Sequence, residues 1–115
     1  MARKPASRAP RAPDPAKAAL ARIAELISRG GDPARVAREA DSIISGWAGT
    51  LPDDEMRERL EDLRDQLASG VEAAREQADD VEQDDKAGAA AAGRALAALT
   101  AARDAFGHAA QSVGR

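Results

Sequence analysis

The chain has 115 residues, 17 lysines and arginines against 20 aspartates and glutamates, and no cysteine. These features argue against a second independently folded unit and exclude a disulfide framework, a thiolate metal site and a cysteine nucleophile. Hydrophobic residues make up 43% of the chain, but 30 are alanine, which leaves 20 larger apolar side chains and predicts a thin core that would gain from a partner or a second copy.

Charge is segregated along the chain. Residues 1–50 sum to +4, residues 51–86 to −9 and residues 87–115 to +2, so partners of opposite sign are expected at different places. Residues 1–13 contain Arg3, Lys4, Arg8 and Arg11, three prolines and no acid, which predicts a disordered basic tail. Residues 14–115 are expected to form a single all-α domain, a helical bundle or hairpin of about four helices, two short and two long. No segment alternates with the period of a strand.

Asp14-Pro15 supplies an N-cap followed by proline at the first helical position, and Arg29-Gly30-Gly31 supplies a basic last turn and a glycine stop. They frame a helix over 15–29 with Leu20, Ile23 and Ile27 on one stripe and Leu26 beside it. Asp32-Pro33 repeats the start signal, and Val36, Ala40, Ile43, Ile44 and Trp47 fall on one face of a second helix over 33–46. Thr50 and Asp53 have the spacing of a capping box for a third helix over 52–82, whose first turn carries Asp53, Asp54 and Glu55.

The apolar stripe of the third helix runs through Met56, Leu60, Leu63, Leu67, Val71, Ala74, Ala78 and Val81. This is coiled-coil spacing with one extra four-residue step at Leu67 to Val71, next to Ser69-Gly70, where a local unwinding is expected. Residues 82–88 are polar enough for a turn. A fourth helix over 89–112 follows, with Leu96, Leu99, Ala102, Phe106, Ala109 or Ala110, and Val113 on its seam. A single rod would put Asp85 on the seam, so an antiparallel hairpin is preferred.

Catalytic and metal chemistry find little support. His108 is the sole histidine, and no nucleophile, base and orienting group can be assembled around it. Asp79, Asp80, Glu82, Asp84 and Asp85 lack the alternation and central glycine of a calcium loop and read as a solvated turn. The Gly88 to Ala95 run lacks the lysine and hydroxyl of a phosphate-binding loop and a strand before it. No enzyme activity, cofactor or metal is expected.

No stretch approaches the length of a membrane span and no apolar run follows the basic residues near Met1, so a cytoplasmic location without membrane association is expected. Trp47, the only tryptophan, reads as a core anchor at the junction of the second, third and fourth helices. Trp47-Ala48-Gly49 is similar to the W-x-G turn of the secreted hairpin proteins of type VII secretion. With no tyrosine the chain lacks the export signal of that family, which is therefore not assigned.

The first expectation for function is a non-catalytic helical protein-protein interaction module that engages a partner or itself. Two surfaces on the third helix are candidates. One is the seam of Met56, Leu60, Leu63 and Leu67, whose coverage by a second copy would make a homo-oligomer. The other is the acidic outside, with Glu58, Glu61, Asp62, Asp65, Glu72, Glu76 and Asp79, which suits a basic partner in an adaptor or an inhibitor.

The alternative is a DNA-binding protein. Its basic tail, with Arg3, Lys4, Arg8 and Arg11, would act together with Arg35 and Arg38 in a helix-turn-helix-like pair, and the long hairpin would serve for oligomerisation.

Overall fold

The structure, a computed structural model, describes residues 15–114. The tail expected over 1–13 lies outside these residues. The described chain forms α1 (Pro15–Ser28), α2 (Pro33–Trp47), α3 (Asp53–Asp80) and α4 (Lys86–Ser112), without a strand among the described residues. It is an all-α bundle of two short and two long helices.

Local chemistry explains where the helices begin and end. At the end of α1, Gly30 takes a φ of +76°, its N–H donates to the Ile27 carbonyl at 3.0 Å, and the Gly31 N–H donates to the Leu26 carbonyl at 2.8 Å. That pair of bonds is a Schellman stop, and the left-handed position favours glycine. The Asp32 carboxylate accepts from the Arg35 N–H at 3.0 Å, and Pro33 starts α2 where no donor is needed.

Two local expectations are corrected. The Thr50–Asp53 capping box does not form: Pro52 is the N-cap of α3, and the Thr50 hydroxyl turns back to donate to the Trp47 carbonyl at 2.8 Å. Helix α4 starts three residues earlier than expected because Asp85, read as part of a solvated turn, is its N-cap and accepts from the Gly88 N–H at 2.8 Å. A Cβ on Gly88 would collide with that carboxylate, so the glycine serves the cap.

Helices α3 and α4 make the most extensive contact in the protein, followed by α2 with α4. Arg57 meets Val113, Arg64 meets Gly107, and Gly70 faces Leu99, so advancing along α3 means retreating along α4. The pair is an antiparallel hairpin. Its connection is residues 81–85, whereas Trp47-Ala48-Gly49 joins α2 to α3; the likeness to a W-x-G hairpin therefore does not extend to the topology. Helix α3 passes Ser69 and Gly70 without interruption, and burial continues through Val71 and Ala74.

The core is built from the α3 stripe and the small residues of α4. Met56, Leu60, Leu63 and Leu67 pack with Ala98, Ala102, Phe106 and Ala110, while Ile23, Val36 and Ala40 close the layer from α1 and α2. Alanine brings helix axes close, so one phenylalanine fills most of the space that remains. Phe106 is fully buried and is the largest such side chain. Trp47, expected to be the anchor, is only half-buried at the edge. None of residues 68–97 joins the four-helix core. That part of the hairpin is two helices thick, consistent with a radius of gyration of 17.0 Å, against about 13 Å for a compact domain of this size.

Two outcomes are expected. Phe106→Ala should cost about 3–5 kcal/mol in a urea titration, and Trp47→Ala clearly less. Because the seam is closed inside one chain, the melting temperature should not vary over about a hundredfold range of protein concentration, as it would if folding required association.

Candidate functional site

The α3 seam is not an open partner surface. Leu60 and Leu63 are fully buried, and Met56 and Leu67 retain 7% and 4% exposure, all within the core of a single chain. Within the chain this seam is covered by α4, which sets Ala98, Ala102, Phe106 and Ala110 against it.

The opposite side of α3 is different. Glu58, Glu61, Asp62, Asp65, Glu72, Glu76 and Asp79 are all exposed. Asp65 has Arg64 at 2.9 Å, Glu72 has Arg75 at 3.2 Å, and Asp62 accepts from Gln66 at 2.9 Å. Glu58, Glu61, Glu76 and Asp79 have no ion pair or hydrogen bond with a described side chain. Asp54, Glu58, Glu61 and Asp65 follow steps of four, three and four residues and form one ridge along the helix. Glu55, Glu58, Arg59 and Asp62 also border a cleft of about 430 Å³ beside Ala16 at the start of α1.

Arg35 and Arg38 are exposed on α2, and their guanidinium groups pair with no acid among the described residues. Glu39, between them and the next turn, is taken by Arg22 of α1 at 2.9 Å, while Asp41 lies exposed farther along the helix. The other basic candidates, Arg3, Lys4, Arg8 and Arg11, lie outside the described residues.

Sequence reading did not anticipate an apolar cleft of about 410 Å³ at one end of the bundle. Ile44 borders it from α2, Ala48 and Leu51 from the linker, Met56 from α3, Ala109 from α4 and Val113 from just past its end. Asp53 and exposed His108 stand at its edge. Ile44 and Val113 were legible as members of apolar stripes, but their convergence arises only from the α2–α4 packing. Nearby, the Arg59 guanidinium lies 5.6 Å from the centre of the Trp47 ring, a cation–π contact across the α2–α3 junction.

Among the described residues no group of three histidines, aspartates or glutamates could hold a metal ion, and no helix is long and apolar enough to cross a membrane. No protein-family model matches the chain, and neither a curated protein nor a solved structure matches it.

Arg59→Ala is expected to lower stability by about 0.5–1 kcal/mol through loss of the ring contact. A double-mutant cycle with Trp47→Leu, read by denaturant titration, should return most of that value as coupling.

Proposed function

We propose that the protein is a non-catalytic helical interaction module, an adaptor or an inhibitor, that presents α3 to a basic protein partner. The observation that carries this reading is the exposed ridge of Asp54, Glu58, Glu61 and Asp65 together with Asp62, Glu72, Glu76 and Asp79, several of which have no compensating cation among the described residues. Like charges held on a rigid helix repel one another, and a partner that supplies lysine or arginine relieves that repulsion. The reading takes the cytoplasm as its setting and requires no cofactor. The exposed His108 imidazole makes no hydrogen bond with a described residue, which favours binding over proton-transfer chemistry.

A second reading, DNA binding, is favoured by exposed Arg35 and Arg38, whose guanidinium groups have no acidic partner among the described residues. In that case α2 and the basic segment ahead of α1 would meet phosphates.

Paired capture experiments separate the two. A variant carrying lysine at positions 58, 61, 62 and 65 is expected to lose, in low salt, the proteins that the unaltered chain enriches from its source cells. Fluorescence anisotropy with random duplex DNA is expected to show no binding. Binding that falls steeply with salt and is lost in Arg35→Ala/Arg38→Ala would establish the second reading instead.

A further inference from the structure

We infer that the apolar cleft between the C-terminal ends of α2 and α4 is the docking site for an amphipathic, basic helix of a partner protein. This rests on the interaction-module reading and supplies the partner's chemistry. The floor is apolar, formed by Ile44, Leu51, Met56, Ala109 and Val113, and the space of about 410 Å³ is open to solvent on one side. A helix face presenting large aliphatic side chains suits such an open cleft. Gly49, at its edge, has nothing within 4 Å of the position a Cβ would take, which leaves room for an incoming chain.

The rim selects positive charge. Among the described residues no lysine or arginine lines the cleft, and the Asp53 carboxylate at its edge forms no ion pair with any of them. Helices α2 and α4 end there, at Ala48 and Val113, and bring the negative ends of two helix dipoles to one place. The nearby Arg57 guanidinium is already engaged, donating to the Val113 carbonyl at 3.1 Å and lying 3.9 Å from Asp54. From Asp54 the acidic ridge leads away from the cleft through Glu58, Glu61 and Asp65. Lysines flanking the apolar face of a bound helix would therefore meet acid at the rim and beyond it.

The same charge pattern disfavours two other occupants. A second copy related by a twofold axis would bring an identical acid-rimmed cleft against the first, so like charges would meet. The basic segment of residues 1–14 has only Met1 as a large apolar residue and cannot fill the floor.

The test uses the full chain and a fluorescein-labelled helical peptide with leucines on one face and lysines elsewhere. Control peptides replace the leucines with serine or the lysines with glutamate. The leucine-lysine peptide is expected to bind, and both controls to bind far more weakly. Val113→Asp and Leu51→Ser should each weaken binding about tenfold or more, with unchanged circular dichroism. Methyl resonances of Ile44, Leu51 and Val113 in the unaltered chain should shift on binding, a readout independent of the variants.

Binding unchanged in both variants, with unshifted methyl groups, would overturn the inference. If lysine at positions 58, 61, 62 and 65 still abolished that binding, the acidic-face reading would stand without the cleft. Failure to bind the leucine-lysine peptide at all would sink both. Equal binding of the leucine-glutamate peptide would overturn the basic character of the partner. A dimer of the protein alone, dissociated by Val113→Asp, would overturn it in favour of a second copy.

Discussion

The closure of the α3 seam by an alanine-rich helix is the constraint on which the rest of the fold depends. Leu60, Leu63 and Leu67 form a row of large side chains, and α4 meets them with Ala98, Ala102 and Ala110 around one Phe106. Small residues on one side let the backbones approach, so large residues on the other side fill the gap without a second large layer. A chain with 20 large apolar residues thereby closes a core within itself. Helices α1 and α2 complete it with Ala16, Ala19, Ile23, Val36 and Ala40.

That economy determines which surface is left for other molecules. With the seam occupied, α3 presents its charged outside, and an apolar cleft lies at the bundle end, where α2 and α4 terminate side by side. Ile44 lies in the last turn of α2, and Val113 directly follows the last residue of α4, with no further helix to cover it. An acid at the start of α3 and an apolar floor are thus brought together by where three helices begin and end.

Much of the architecture was legible because the chain punctuates its helices with strong local chemistry. Asp32-Pro33 and Arg29-Gly30-Gly31 act through bonds within a few residues and do not depend on what packs nearby. The phase of α4 was harder to read, since alanine on every face gives no contrast between Ala98, which is buried, and Ala97, which is exposed. Thr50 had the spacing of a cap, but its hydroxyl found a nearer acceptor in the Trp47 carbonyl. The acidic face was legible as composition. The cleft was not, because Ile44, Leu51 and Val113 are brought together only by tertiary packing.

The unequal thickness of the hairpin also has a dynamic consequence. Near Leu60 and Phe106, α3 and α4 are backed by two further helices, whereas past Gly70 they have only Val71, Ala74 and their neighbours to hold them together. Amide exchange should therefore be graded along a single helix, with the tip opening at a cost well below that of global unfolding. Glu58 and Glu61 stand on the stiff half, and Glu76 and Asp79 on the yielding one. One continuous acidic face thus has a fixed end that can set register and a compliant end that can adjust to the contour of whatever lies against it.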